Sequence, residues 1–407
     1  MRRPELCLRY SFASRSICTL ASSSSGKSLS AAPPVIVTKT RTRVDGSFLL
    51  LSSLTPDSPS KAWLGRARQV TRYTLTENKS TSLVSLEITN AMRRFSEPIR
   101  GTNVAQIGAR WNPYIHRRPR PLHEMLMACL ASPEGVRGLL AADVVAGRDL
   151  LKRLMFPHKA SFNACFVHGV LFLEDVIDSA ESPVNYAALH REAGFLRAST
   201  GMYTPGWTEP SGRTRHTLHA VVARPLGGLN LLMSGSVDCV KYRYSKNPAV
   251  YMQFVTRPLR EGKYTIYPRI WRDWYIRTHL MGIRALYLGL IDEAGVLRNT
   301  RRLATRSLPK AAAARGGPWD PEDNIHWAFR VLTTLRDFCQ EANDRHVLAT
   351  KRRTDRRVWR VDISPIAGET RVLVRDLPVD ERRALQPGQP HGIVPDSVIK
   401  VFDRGYA

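Results

Sequence analysis

The sequence predicts an α+β fold, in which β-strands alternate with helices. Apolar, β-rich runs recur through the middle of the chain and are bounded by glycine, proline and polar residues, as strands commonly are. A strong helix signal follows them, because Asp320 suits the N-cap, Pro321 the first helical position, and Glu322 and Asp323 the first turn. With 407 residues, 43% of them hydrophobic, the chain can bury one large core or two modest ones.

The amino-terminal half contains the first expected elements. The apolar run 48–51 indicates a strand, and residues 122–130 place their apolar side chains on one helical face. The β-rich runs 162–167 and 170–177 are separated only by residues 168–169, which predicts a hairpin.

Strands and one long helix are expected in the carboxyl-terminal half. The strand candidates are 218–223, 231–242, 250–256 and 285–291. We expect exposed loops at 200–215 and 298–315, and a helix at 321–342. The apolar face of that helix is interpreted as core and consists of Trp327, Val331, Leu335, Phe338 and Cys339.

The charge of the chain indicates an acidic partner. Lysine and arginine total 61 against 35 acidic residues, a net charge of +26, and such an excess disfavours a compact state unless a polyanion shares the surface. RNA is the first candidate, ahead of an anionic membrane surface or a ribonucleoprotein neighbour; a merely basic protein is the alternative. The six cysteines include no C-x-x-C pair, which argues against a zinc module or a disulfide framework. No apolar run is long enough for a transmembrane segment.

Residues 1–44 have the composition of a targeting segment, and residues 45–407 are expected to form a single domain. The first 44 residues contain eight lysines and arginines but only one acid, Glu5, and they are rich in serine. That composition is typical of a mitochondrial transit peptide, although a disordered basic tail has the same composition. We therefore expect mitochondrial localisation, with nucleus or cytoplasm as the alternative.

Residues 234–239 (SGSVDC) provide the most specific motif of the chain. They resemble the S-G-E-V-D-C strand of the DXO-type decapping exonucleases, whose Glu and Asp hold catalytic divalent metal. Four further segments resemble motifs of that family in the family's order: 147–154 (GRDLLKRL), 169–176 (GVLFLEDV), 194–198 (GFLRA) and 251–256 (YMQFVT). Trp319, Asp320 and Pro321 are similar to the start of the family's last helix. The resemblance implies a mixed central β-sheet flanked by helices, with a restriction-endonuclease-like core.

The same resemblance indicates that the catalytic groups are lost. Ala198, Ser236 and Gln253 stand where the family has metal-binding glutamates, and Val255 stands where it has a lysine. Only Asp238 is left as a metal ligand, and one carboxylate is insufficient to dehydrate Mg²⁺. Nothing in the spacing of the nearby acids Glu174, Asp175, Glu192 and Glu261 recommends them as substitutes. We expect no cofactor, or Mg²⁺ or Mn²⁺ if the enzyme is active after all.

Three arginines are candidate RNA-binding residues. The resemblance implies that Arg148 faces RNA phosphates, and Arg197 and Arg257 lie beside the second and fourth motifs. Arg197 could occupy the space that the metal vacated. Two clusters mix cations with aromatic residues, at 263–277 (which includes Arg277) and at 351–360. Each is either an RNA-binding surface, where rings stack on bases, or ordinary structure, namely a packed helix and a solvated hairpin end.

Two functions compete at this point. The first is a catalytically inactive decapping-nuclease-like protein that binds RNA 5′ ends, or acts with protein partners in a mitochondrial ribonucleoprotein complex. The second is an active metal-dependent RNA decapping pyrophosphohydrolase and deNADding 5′–3′ exoribonuclease. The family resemblance favours the enzyme, whereas Ala198, Ser236, Gln253 and Val255 favour the binding protein.

Overall fold

Two β-sheets and their flanking helices organise the computed structural model of the chain. It describes residues 38–40, 49–52, 62–78, 83–87, 93–109, 122–156, 160–176, 185–201, 214–241, 246–261, 263–316, 319–350, 357–366, 369–385 and 393–405. All of these belong to one compact unit that runs from Val35 to Ala407. No helix in these ranges is long and apolar enough to span a membrane.

The described part of the chain contains seventeen strands and ten α-helices. The strands are β1 (Thr38–Thr40), β2 (Leu49–Ser52), β3 (Arg68–Asn78), β4 (Leu83–Glu87), β5 (Arg94–Phe95), β6 (Val144–Gly147), β7 (Ala160–Val167), β8 (Val170–Asp175), β9 (Thr200–Gly201), β10 (Thr214–Leu226), β11 (Leu229–Ser236), β12 (Cys239–Val240), β13 (Tyr251–Pro258), β14 (Ala285–Ile291), β15 (Leu297–Ala304), β16 (Val358–Ile366) and β17 (Glu369–Asp376). The helices are α1 (Val104–Ala109), α2 (Leu122–Leu130), α3 (Pro133–Leu140), α4 (Arg148–Met155), α5 (Tyr186–Ala198), α6 (Pro268–Leu280), α7 (Leu308–Gly316), α8 (Pro321–Thr350), α9 (Val379–Leu385) and α10 (Asp396–Gly405).

Both sheets are mixed, which confirms the predicted α+β class. The larger sheet has the order β1-β2-β17-β16-β7-β8-β6-β11-β10-β3-β4, and the smaller one β15-β14-β13-β12-β5-β9. In the larger sheet, β6 runs parallel to both β8 and β11. In the smaller sheet, β13 runs parallel to β14, and β12 to β5. Parallel neighbours place their carboxyl ends at the same sheet edge, and the candidate site lies at such an edge.

The main core contains residues of both sheets and of helices α4, α6 and α8. Val331, Leu335 and Cys339 of α8 are buried in it, which confirms the predicted apolar face. Trp271 and Trp274 of α6 are buried in the same core. For Trp271 and Trp274 the packed-helix interpretation is therefore correct, because buried rings cannot stack on RNA bases, whereas Tyr267 of the same cluster is 59% exposed.

Several predicted elements are confirmed at nearly their expected positions. Helix α2 and strand β14 have the predicted bounds, and β7 and β8 form the expected hairpin. His168 and Gly169 both have positive φ, at 48° and 84°, as a tight two-residue turn requires. The N-cap of α8 is also confirmed, since the Asp320 carboxylate accepts a hydrogen bond from the Glu322 amide at 2.9 Å.

The predicted loop at 298–315 is wrong. These residues form most of β15, a short 3₁₀ turn and α7. Strand β15 pairs with β14 along its length, but it lies at the edge of its sheet and exposes Arg298, Arg301 and Arg302. An edge strand with charged residues on both faces lacks apolar alternation, so sequence pattern alone does not reveal it. The residues 202–213 of the other predicted loop, and 351–356 of the second basic cluster, lie outside the described residues.

Candidate functional site

The candidate site lies where β6 and β11 end side by side. Their parallel register pairs Ser234 with Gly147, so the next residues of both strands leave the sheet together. Helix α4 begins at Arg148, directly after β6, and β11 ends at Ser236. This junction brings the first motif of the resemblance next to the SGSVDC motif.

Arg148 is buried in this junction and fully engaged. Its side chain is 3% exposed, and Nη1 donates to the Ser236 carbonyl at 2.9 Å. Nε and Nη2 donate to the carboxylate of Asp149 at 3.2–3.3 Å. Burial lowers the pKa of Arg148, while Asp149 raises it. In return, the Arg148 guanidinium holds the pKa of the Asp149 carboxyl well below its usual range. The two residues form an ion pair that holds the start of α4 to the end of β11.

Asp238 is the carboxylate that the family resemblance places at the metal site. Its Oδ2 accepts a hydrogen bond from the amide of Phe254 in β13 at 2.6 Å. Burial raises the pKa of Asp238, although the Phe254 amide and three arginines, Arg277, Arg93 and Arg148, act in the opposite direction. This hydrogen bond thus holds the chain after β11 to strand β13.

Gln253 lies in the middle of β13 and faces an arginine. Its side chain is 1% exposed. In the amide orientation that its neighbours favour, its oxygen accepts hydrogen bonds from Arg277 Nε at 3.0 Å and Nη2 at 2.5 Å. Arg277 belongs to the last turn of α6, and its charge also acts on Asp238, Arg148 and Asp149. A guanidinium therefore lies against the position where the family resemblance predicts a metal ligand.

Helix α6 holds Arg277 firmly in place. Trp271 and Trp274 anchor the helix in the core, and the carbonyls of its carboxyl-terminal end are capped by the side chain of Arg224. Arg224 is 6% exposed, donates to the carbonyls of Leu280 at 3.2 Å and Gly65 at 2.5 Å, and also bonds the His279 carbonyl. Burial lowers the pKa of Arg224 to about 10. Cations at a helix carboxyl terminus complement its dipole, so this cap stabilises the turn that carries Arg277.

The donors at this site do not fit Mg²⁺ or Mn²⁺. The oxygen of Gln253 faces Arg277, and one oxygen of Asp238 is bound to a backbone amide. Ala198 and Val255 present hydrocarbon, and Ser236 offers a neutral hydroxyl. Within the described ranges, no group of three His, Cys, Asp or Glu side chains could hold a metal ion. Divalent metals of this kind need several oxygen ligands, and the nearby arginines repel a second cation.

The other acids considered in the sequence have different surroundings. Glu174 accepts a hydrogen bond from the amide of Leu122 at 3.1 Å, and Asp175 pairs with Arg153. Glu192 and Glu261 are exposed. The described contacts do not bring these carboxylates to Asp238.

The predicted RNA-binding arginines occupy three different settings. Arg148 is buried in its ion pair, whereas Arg197 is exposed in the last turn of α5. Arg257 lies on β13 with its guanidinium 5.1 Å from the centre of the Trp274 ring. Four residues along a strand place Arg257 about 13 Å from Gln253, on the same face. Their role in RNA binding stays a prediction.

Arg277 is the site residue that the sequence analysis did not assign to the site. It was one cation of the mixed cluster 263–277, with no indication that it faces Gln253. The available signal was weak: on a helix whose tryptophans are buried, a partly buried arginine needs an acceptor. That this acceptor is Gln253 depends on how α6 lies against β13.

Comparisons with known proteins agree with the resemblance of the motifs. The profile of the RAI1-like PD-(D/E)XK nuclease family matches residues 197–395. The decapping nuclease RAI1 of Neurospora crassa is 24% identical over 159 residues, which are 38% of this chain and 35% of that protein. The match thus spans only about a third of the length of that relative.

Solved structures show the same fold at low sequence identity. Rai1 of Scheffersomyces stipitis superimposes with a TM-score of 0.66 at 16% identity, over 89% of this chain and 100% of that one. Rai1 of S. pombe in complex with 3′-FADP gives 0.63 at 13% identity, over 82% and 100%. Rai1 of Candida albicans in complex with pU5-Mn²⁺ gives 0.62 at 12% identity, over 85% and 97%.

Proposed function

We propose that this chain is a non-catalytic member of the RAI1-like family of PD-(D/E)XK nucleases, whose profile matches residues 197–395, and that it binds RNA 5′ ends. The contact between Gln253 and Arg277 carries the proposal, since it replaces a carboxylate and a metal by a neutral amide and a fixed cation.

The chemistry of hydrolysis supports the loss of activity. A metal-dependent nuclease needs carboxylates to hold the metal and a basic group to orient and deprotonate the attacking water. Asp238 supplies one carboxylate, and Val255 has no proton acceptor. The site therefore has electrostatic attraction for phosphate but no group that activates water.

Two observations support RNA as the ligand. A relative of the same fold, Rai1 of Candida albicans, was solved in complex with pU5 and Mn²⁺. The chain also has a net charge of +26, which favours a polyanionic ligand. Arg197 and Arg257 are the proposed contacts with the RNA backbone, and the buried Arg148 contributes by holding the start of α4 to the end of β11.

The absence of hydrolysis is tested directly. The purified protein is incubated with Mg²⁺ or Mn²⁺ and 5′-labelled RNA that carries a triphosphate, an NAD cap or a methylated cap. We expect no product. Metal-dependent release that disappears in Asp238→Ala would instead establish the active decapping enzyme.

Binding is tested by titrating single-stranded RNA in the presence of EDTA. Affinity should be unaffected by the chelator and should fall with salt by about 0.7 log units per log unit of salt for each neutralised phosphate. Arg257→Gln and Arg197→Gln should each lower that slope by about one phosphate's share. Loss of binding in EDTA, or slopes unchanged in both variants, would contradict the proposed interface.

The proposed location is the mitochondrion, within a ribonucleoprotein assembly that includes protein partners. Cleavage near Val35 would remove most of the arginine-rich segment and would leave β1 in the mature chain. Mass spectrometry of the native amino terminus tests this proposal. An intact terminus at Met1, in a protein found in the nucleus or cytoplasm, would contradict it.

A further inference from the structure

The positive charge of Arg277 is not neutralised by its hydrogen-bond partner, Gln253. Within the described part of the chain, its hydrogen-bond partner is the amide oxygen of Gln253, which accepts hydrogen bonds from Nε and Nη2. Arg277 is partly exposed, so a ligand from solvent can approach the residue. Arg148 differs, because the carboxylate of Asp149 neutralises it and its guanidinium is 3% exposed.

Cations surround the end of β11. Arg277, Arg93 and Arg148 act on Asp238, and Arg148, Arg277 and Lys152 act on Asp149. Burial also raises the pKa of Asp238, which reduces its negative charge at acidic pH. Together with the partial exposure of Arg277, this setting favours an anionic ligand.

From this arrangement we infer that Arg277 substitutes for the lost metal as the anchor of a terminal phosphate group. The inference rests on the proposed function and deepens it, because it makes the protein a reader of the 5′-phosphate rather than of RNA in general. A guanidinium donates charge-assisted hydrogen bonds to phosphate oxygens, and it needs no metal to do so. Gln253 holds it in the required orientation without neutralising it, whereas a glutamate there would cancel its charge.

The experiment measures three ligands in EDTA by calorimetry on the full chain: inorganic phosphate, a 5′-phosphorylated RNA decamer and the same decamer with a 5′-hydroxyl. Wild type is compared with Arg277→Gln, Arg277→Lys and the control Arg269→Gln. Arg269 is an exposed arginine on the same helix, about 12 Å further along it, beyond the screening length of about 8 Å at physiological salt.

We expect wild type to bind inorganic phosphate and to prefer the 5′-phosphorylated decamer. Arg277→Gln should raise the Kd for both by roughly tenfold to hundredfold, the range for a lost charge-assisted hydrogen bond. It should leave binding of the 5′-hydroxyl decamer nearly unchanged, which also shows that the variant is folded. Arg277→Lys should retain part of the preference, and Arg269→Gln all of it.

Other outcomes separate the two proposals. RNA binding that ignores the 5′-phosphate and is equal in Arg277→Gln overturns the inference and leaves RNA binding intact. Phosphate binding that depends on Arg277, with no affinity for either decamer, supports the inference and overturns the proposed function. Binding of none of the three ligands overturns both.

Discussion

The start of α4 and the last turn of α6 each bring an arginine to the end of β11, and the two arginines have opposite roles. Arg148 is buried and paired with a carboxylate, so the pair has no net charge and serves to hold the helix to the sheet. Arg277 is partly exposed and bonded to a neutral amide, so its charge is available. The difference teaches that the partner of an arginine, more than its place in a motif, determines whether it can bind an anion.

The largest expected effect tests Arg148 as a structural residue. Arg148→Met leaves the Ser236 carbonyl without its donor and Asp149, which is 64% exposed, without its partner, and we expect a loss of about 2–3 kcal/mol in the free energy of unfolding. Arg277→Met should cost less, about 1–2 kcal/mol, because it leaves one neutral group, the buried amide oxygen of Gln253, without its donor. Urea denaturation at pH 7 measures both variants. Equal losses would remove the distinction between the two arginines.

A smaller effect tests how firmly the end of α6 is held at acidic pH. Burial, with a lesser contribution from Arg224, lowers the pKa of His279 from 6.5 to about 3. Between these values the unfolded chain binds more protons than the folded one, so stability falls as pH decreases from about 6.5 towards 3. Between pH 7.5 and 5.0 the loss should be about 1–2 kcal/mol, after allowance for partial exposure.

The matched variants isolate this histidine. His279→Gln should remove that part of the pH dependence, since glutamine does not titrate. His190→Gln, on the partly exposed side of α5, controls for the loss of a histidine elsewhere. Urea denaturation at both pH values measures the difference, and an equal slope in wild type and His279→Gln would show that the end of α6 is not the acid-sensitive point.

The smallest expected effect comes from a substitution that gives Arg277 a carboxylate partner, as Arg148 has. Gln253→Glu should give Arg277 a carboxylate partner like that of Arg148, and it should weaken phosphate binding about tenfold, or about 1.4 kcal/mol. Asp149→Asn makes the reverse change and should not weaken phosphate binding. Calorimetry with inorganic phosphate in EDTA measures both. Unchanged affinity in Gln253→Glu would mean that Arg277 is not the anchor.

The fold was largely predictable because its strong elements are encoded locally. The bounds of α2 and β14, the turn at His168 and Gly169, and the N-cap at Asp320 all follow from residue type and spacing. Strand β15 was missed because it is stabilised by pairing with β14 at a charged sheet edge. Pairing of that kind is a tertiary property and leaves no periodic pattern in the sequence.

The candidate site was predictable in part, for the same reason. The SGSVDC motif located Asp238 and Ser236, and the fourth motif located Gln253 on the next long strand. The contact between Gln253 and Arg277 joins residues that are 24 positions apart, through the packing of α6 against β13. Residue types alone could show which carboxylates the motifs lack, but only the packing shows which charge lies against Gln253.

The pairing of Gln253 with Arg277 also bears on attempts to engineer a metal site into the chain. Glutamate at 253 would form an ion pair with the resident guanidinium and would leave no oxygen available to a metal. A metal site would therefore require the replacement of Arg277 as well as new carboxylates at positions 198 and 236. Arg277 thus makes these positions interdependent, so a single substitution at any one of them would add little affinity for a metal.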